Sequence, residues 1–363
     1  MIKQWQFPGG IALAAHKQVT EITASTIPKE LIYPLLQRSD SYAKPAVNPG
    51  DHVLKGQVLA TSNHPLVTPI HAASSGTVTA IAPHLIAHPS NLADNCITIA
   101  SDGLDTAVTP EPCIDYQLES ADTLRRKIHQ AGIVGLGGAS FPTAKKLHTK
   151  HAIDTLIING AECEPYISCD ESLMQQQAME IVQGVLVLQY ILQAKHCIIA
   201  LENNMPHALQ ALAEATKQTA IQISTVPAIY PTGGEKQLIQ VLTSIKIPAA
   251  ELPQQHGFVC QNVGTIYAIE QAIIHGKPLT ERIITLTGNG LQKAQNVRAC
   301  IGTAISELIP YAGGYSPDVQ RLIMGGSMMG IALNSDEVAV TKASNCILAL
   351  NVAQQLPAMA CIR

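Results

Sequence analysis

The stretch IDTLIINGAECEPYISCDESLMQQQAMEIVQGVLVLQYILQAKHCIIALE, residues 153–202, decides the fold. It opens on IDTLIING (153–160), an unbroken apolar run rich in β-branched residues, which reads as a strand buried on both faces. A helix over 171–194 follows, then a second apolar strand, HCIIALE (196–202). Strand, helix, strand with nothing left exposed is the parallel-sheet unit. Moving outward, the pattern repeats. Helix 204–217, strand IQISTVP (221–227) and helix GGEKQLIQVLTSI (233–245) come after it, and a helix over 120–130, capped by Ser120 or Asp122, precedes it. Residues 116–255 are therefore expected to form a Rossmann-like α/β domain with its ligand beyond the carboxyl ends of the strands.

The flanks read differently. In residues 1–115, PAVNPGDHVLKGQVLA (45–60) and PIHAASSGTVTAIA (69–82) each join a glycine turn to alternating Val, Leu or Ile, like two halves of a small β-sandwich. This resembles the biotinyl/lipoyl-like barrel-sandwich hybrid fold. Its hairpin tip, TSNHPLVT, lacks the lysine that a swinging-arm carrier needs, so a structural or docking module is expected. Residues 256–340 carry strand, strand, helix, strand around Gly-Asn-Gly and Gly-Gly turns, the order of a β-grasp module. Residues 341–363 read as helical and apolar.

Composition narrows the function. Net charge is −4 and only 4% of residues are aromatic, so neither a phosphate-tracking basic face nor a base-stacking platform is available. The longest apolar stretch, 181–200, is broken by Gln183, Gln189, Gln193, Lys195 and His196 and is no bilayer span. The first ten residues lack the apolar core of a secretory signal, and the expectation is a soluble, cytoplasmic protein. Nine cysteines without a CxxC pair argue against a disulfide framework. No nucleophile elbow and no HExxH pattern is present, which leaves hydrolase and metalloprotease chemistry without residues.

Four loops carry candidate chemistry. In AGIVGLGGASFPTAKKL (131–147), Gly135, Gly137 and Gly138 free the backbone to turn its amides toward an anion, and Lys145 or Lys146 adds a charge. Structural turns with three glycines are also common. In IINGAECEPYISCD (157–170), Asn159 offers a donor and an acceptor, while Glu162 and Glu164 form an acidic pair that could equally be a solvated strand end. Cys163 and Cys169 lack the second pair that a metal site needs. YPTGGEKQL (230–238) and VCQNVGTIYAIEQAI (259–273) are two further strand-to-helix turns, the latter with Gln261, Asn262 and Thr265.

The order GLGGASFPTAKKL, INGAECEPYISCD, YPTGGEKQL, QNVGT resembles the NADH-binding flavoprotein subunit of respiratory complex I, and more closely the RnfC component of the Rnf ion-translocating oxidoreductase. FPGGIALAAHK (7–17), HAASSGTVTAI (71–81), HPSNL (88–92) and VTKASNCI (340–347) extend the likeness over essentially the whole chain. The resemblance implies FMN as cofactor and NADH as substrate, with the third region an SLBB-type β-grasp domain. Gly135, Gly137, Gly138 and Lys146 would cradle the flavin phosphate. Asn159 and Glu162 would meet the ring or ribityl chain, Gly234 would also bind the FMN, and Asn262 with Thr265 would close the phosphate side. Phe141 would stack on the nicotinamide nucleotide, with Glu164 and Glu235 holding its hydroxyls or carboxamide. No residue would serve as catalytic acid or base. Leu136 and Gly234 depart from the complex I pattern, which has an arginine and an acid there. Members of this family continue into a ferredoxin-like domain opening Cys-Ile-Arg-Cys-Gly, so Cys361 would ligate one of two [4Fe–4S] clusters only in a longer chain. Implied partners are the other subunits of a membrane-bound complex and a ferredoxin-like electron carrier, at the cytoplasmic side of the inner membrane. Two other readings are a cobalamin reductase of a microcompartment and a non-catalytic scaffold with a vestigial flavin site.

Overall fold

The computed structural model describes residues 9–38 and 41–351. An early strand, β1 (Ile22–Ala24), precedes the barrel-sandwich region. There, Glu30–Pro34, Ala93–Ser101, Gly76–Leu85 and His52–Val53 form an antiparallel sheet that faces the short strands Lys44–Pro45, Val58–Thr61 and Ile70–His71. Leu31, Val53, Leu59, Val78, Ile97 and Ile99 fill the space between them.

The decisive stretch folds as its pattern requires. β2 (Thr155–Gly160) is followed by α1 (Cys169–Gln176), α2 (Ala178–Leu192) and β3 (His196–Glu202). The expected single helix over 171–194 is thus two, parted at Gln177, whose φ of −132° leaves the helical region. Then come α3 (Pro206–Ala215), β4 (Gln222–Val226), α4 (Glu235–Thr243), β5 (Phe258–Asn262) and α5 (Val263–Ile273). The four strands are parallel, in the order β4-β3-β2-β5. The chain steps outward from β2 to β4 and then returns to the far side of β2. The direction of winding therefore reverses between β2 and β5. In open α/β sheets the crevice that takes a ligand lies beyond the strand ends at such a reversal, and here Asn159 and Asn262 are register partners at those ends.

Three boundaries are corrected. The break expected at 255/256 falls too early, because β5 and α5 belong to the parallel sheet. β1 lies outside the barrel-sandwich region and pairs in parallel with β7 (Gln295–Cys300). Finally, β6 (Glu281–Thr287), β7, β8 (Arg321–Met324), β9 (Ile331–Leu333) and β10 (Cys346–Leu350) make, with β1, a six-stranded sheet of order β1-β7-β6-β10-β8-β9. Cys346–Leu350 is thus a strand and not part of a helix: a five-residue apolar run has no periodicity to tell the two apart, and neighbours on both sides supply its hydrogen bonds. Residues 352–363, Cys361 among them, lie outside the described residues.

Lys342 ties the parts together. Its ammonium donates to Thr68 Oγ1 at 2.9 Å, the Pro69 carbonyl at 2.6 Å and the Gly132 carbonyl at 2.8 Å. Burial pushes its pKa down to about 7. An unfolded chain would hold that proton up to the ordinary lysine range, so between these limits unfolding takes up a proton and stability rises with pH. The Tm advantage of the native chain over Lys342→Met should therefore widen from pH 7 to pH 10, by an amount equivalent to a few kcal/mol at about 1.4 kcal/mol per pKa unit. A pH-independent difference in thermal unfolding would refute this.

Candidate functional site

The glycine loop is a tight hairpin. Gly135 N–H donates to the Phe141 carbonyl at 2.8 Å and Ser140 N–H to the Gly135 carbonyl at 3.1 Å. Between these bonds the amides of Gly137, Gly138 and Ala139 have no acceptor among the described residues, and all three residues are exposed. Gly138 has φ +100° and open space where a Cβ would lie. At Gly137 a Cβ would come within 3.3 Å of the Asn262 side chain, so a larger residue would fill the space between loop and helix. Three adjacent amides without an acceptor among the described residues, on a turn whose largest side chain is the methyl of Ala139, are suited to a phosphate monoester.

The loop is held in place from behind. Leu136 N–H donates to Thr265 Oγ1 at 2.8 Å, and Arg282 Nη2 donates to the Leu136 carbonyl at 2.9 Å. Asn262 stands at the centre of the crevice. Its Oδ1 caps α5 by accepting from Gly264 and Thr265, and its Nδ2 donates to Asp170 Oδ2 at 2.6 Å. Asn159 donates to the Gly233 carbonyl at 2.8 Å and accepts from Ala161 N–H at 3.1 Å, drawing the third glycine turn against the end of β2. The four loops legible in the sequence meet at one place.

Within that cluster, several expected roles change. Thr265 is fully buried and holds the loop rather than facing a ligand. Glu162 was expected at the flavin, but its buried carboxylate turns to the start of α1 and accepts from the amides of Asp170 at 3.0 Å and Glu171 at 3.3 Å. Burial and the nearby Asp170 push its pKa up to about 8. Glu162, Cys169 and Asp170 lie within 4.8 Å of one another, yet the helix-capping bonds of Glu162 account for the grouping without an ion. Lys17 fastens the same loop, donating to the Glu162 carbonyl and to Glu202. Lys146 and Glu235, assigned to different ligands, form an ion pair at 2.7 Å, with the ammonium also 2.5 Å from the Cys260 carbonyl. Glu164 accepts from the amides of Met328 and Met329, at 3.0 Å each, in the β8–β9 turn. Gly234 serves as the N-cap of α4, and Phe141 is partly buried beside the loop.

Sequence reading missed Arg282 and Asp170. Arg282 is a buried guanidinium inside an apolar strand; burial lowers its pKa, while Cys169 and Asp170 raise it. One signal was available: an arginine at an inward position of RIITLT must find buried acceptors. The reading also missed a cavity of about 440 Å³, lined by Lys55, Leu136, Asp170, Tyr267, Arg282 and Arg298. It shares Leu136 and Asp170 with the walls of the crevice but none of Gly137, Gly138, Asn159 or Glu235. This hollow is thus distinct from the place where the four loops converge.

A parallel sheet with its reversal at β2/β5, glycine turns at its carboxyl ends, and flanking barrel-sandwich and six-stranded sheets define a three-part α/β protein. Models of known families agree: the Nuo51 FMN-binding domain matches residues 128–271, the RnfC barrel sandwich hybrid domain residues 5–104, and the SLBB domain residues 283–332. An NAD+-reducing [NiFe]-hydrogenase in the H2-reduced state shares the fold with TM-score 0.57 at 18% identity, over 68% of this chain and 53% of that one.

Three curated relatives are each named as the C component of the ion-translocating oxidoreductase complex. That of Vibrio cholerae is 44% identical over 96% of this chain and 46% of its own length. For Yersinia enterocolitica the figures are 44%, 99% and 52%, and for Pseudomonas aeruginosa 43%, 98% and 47%. The chain belongs to this family, the RnfC components of ion-translocating oxidoreductase complexes. It spans about half the length of these relatives.

Proposed function

We propose that the chain binds FMN in the β2/β5 crevice and a nicotinamide nucleotide beside it, as the part of a membrane-bound Rnf-type NAD:ferredoxin oxidoreductase that exchanges electrons with NADH. In a longer protein, iron–sulfur clusters would take the electrons onward, with sibling subunits and a ferredoxin-like carrier as partners at the cytoplasmic side of the membrane. No helix among the described residues is long and apolar enough to cross a membrane, so attachment would be through those subunits. The observation that carries this reading is the run of three unpaired amides, Gly137 to Ala139, at the mouth of the switch-point crevice. Bound there, FMN would supply an acceptor for a hydride that can release the two electrons singly.

The chain's own part is binding and orientation. The glycine amides take the phosphate, and the amino end of α5 adds a favourable dipole. Asn159 and Asn262 fix the facing strand ends. Lys146 and Glu235 set a neutral polar pair at the rim, and Phe141 offers a face for a nucleotide ring. Gly137, Gly138 and Asn262 are the residues proposed to touch the phosphate side. The buried carboxylate of Glu162 and the hydroxyl of Thr265 support the loops instead.

Titration of the purified chain with FMN should quench flavin fluorescence and give a yellow protein with one flavin per chain. Under anaerobic conditions NADH should bleach the visible flavin band. A chain that stays colourless would point to a scaffold, and bound flavin that NADH leaves oxidised would defeat the nicotinamide assignment.

A further inference from the structure

We propose that the β8–β9 turn, Gly325–Gly330, is part of the nicotinamide-nucleotide site and acts through Glu164, with Gly326 as the positioning residue. The inference rests on the reading just given and assigns to the six-stranded sheet a role in substrate recognition.

The geometry begins at the loop after β2. Residues 161–166 are clamped from two sides. On one side His16 N–H donates to the Pro165 carbonyl at 2.9 Å, and the His16 ring stacks on Tyr166 at 4.8 Å. On the other side the β8–β9 turn folds over Glu164. Met328 N–H donates to one carboxylate oxygen and Met329 N–H to the other, 3.0 Å each. The turn is closed on itself by Gly330 N–H to the Gly326 carbonyl at 2.9 Å, and is fixed to its sheet by Gly325 N–H to the Cys346 carbonyl at 2.7 Å. Gly326 lies so close to the carboxylate that any Cβ there would overlap it. A side chain at 326 must therefore push either the turn or Glu164 aside.

Two amides on two oxygens leave one lone pair on each oxygen. These are spaced for a pair of neighbouring hydroxyls, as on the ribose of a nicotinamide nucleotide. The carboxylate is half-buried, and the two amides are its hydrogen-bond donors among the described residues. Burial pushes its pKa up and the two amides pull it back down, and they fix its direction without a cation among the described residues that would compete for the diol. The exposed Met329 side chain at the tip of the turn adds an apolar edge beside it.

The test uses the FMN-loaded chain and anaerobic reduction by NADH. Gly326→Ala should raise the NADH concentration for half-maximal flavin reduction about tenfold or more. The limiting rate, FMN affinity and Tm should stay near native values. Gln320→Ala, an exposed position ahead of β8 and outside the turn, should alter none of these. Glu164→Gln should also keep FMN and weaken NADH, and in that background Gly326→Ala should have no further effect, because both act through one carboxylate. An unchanged half-saturation in Gly326→Ala, or multiplicative effects in the double variant, would overturn the proposal. So would a loss of FMN or of thermal stability that accounts for the whole effect. If the unsubstituted chain binds FMN but NADH does not reduce it, the nicotinamide reading fails first and this inference with it.

Discussion

Arg282→Met should cost the fold about 3–5 kcal/mol, the range for removing one partner of a buried charge cluster, and should weaken FMN about tenfold or more. The guanidinium is buried, and it donates to the Ser344 carbonyl at 2.8 Å and the Leu136 carbonyl at 2.9 Å. Methionine fills much of the same volume but leaves two buried carbonyls unpaired, at roughly 1–3 kcal/mol each. It also strips Asp170 of a nearby cation. The second effect follows from the first. Leu136 is flanked by Gly135 and Gly137, so a released carbonyl loosens the hairpin whose amides are proposed to meet the phosphate. Lysine should restore little, because one ammonium on a flexible stem cannot reproduce a planar fork across two carbonyls. Urea unfolding and FMN titration read the two effects separately. A loss of stability under about 1 kcal/mol, or native FMN affinity in a folded variant, would show that the loop keeps its shape without Arg282.

Much of this arrangement was legible because it is local. IDTLIING can bury both faces only inside a parallel sheet, and each glycine turn directly follows or opens a regular element. Asn262 before an apolar helix reads as a cap from sequence, and it caps α5. What stayed hidden depends on contacts between distant segments. β1 pairs with β7 across more than half the chain, and nothing in ITA announces it. CILAL could be helix or strand until β6 and β8 stand on either side. The two glutamates of AECEP look alike in sequence. One caps a helix and the other reaches another sheet, because successive residues of a tight loop face different surroundings. Lys146 and Glu235 could be assigned to separate ligands only while their mutual distance was unknown.

The Asn262→Asp variant isolates the point where capping, domain packing and ligand binding meet. Two effects oppose each other. Aspartate caps a helix about as well as asparagine, so α5 should gain or lose only tenths of a kcal/mol. Against this, the 2.6 Å bond from Asn262 Nδ2 to Asp170 becomes a contact between two carboxylates. The lost charge-assisted bond alone is worth about 1.5–3 kcal/mol, and burial already pushes the Asp170 carboxyl upward. Repulsion therefore wins, and the variant should be less stable by about 3 kcal/mol at neutral pH. The sign of its pH dependence is fixed. The pair holds a proton more tightly when folded than when unfolded, so the deficit should shrink as pH falls toward the ordinary carboxylate range and grow above it. The added charge also sits beside the proposed phosphate site, where a unit charge is worth about 1–3 kcal/mol at an intermediate dielectric. FMN should weaken on the order of 10- to 100-fold by that energy. Combining it with Asp170→Asn exchanges donor for acceptor and removes the repulsion. Stability should then return, while FMN binding stays weaker than native because the carboxylate still faces the crevice. If the exchange fails to restore stability, the Asn262–Asp170 bond is not what joins α1 to α5. If FMN affinity is native in Asn262→Asp, the phosphate does not lie at the amino end of α5, and the crevice assignment falls.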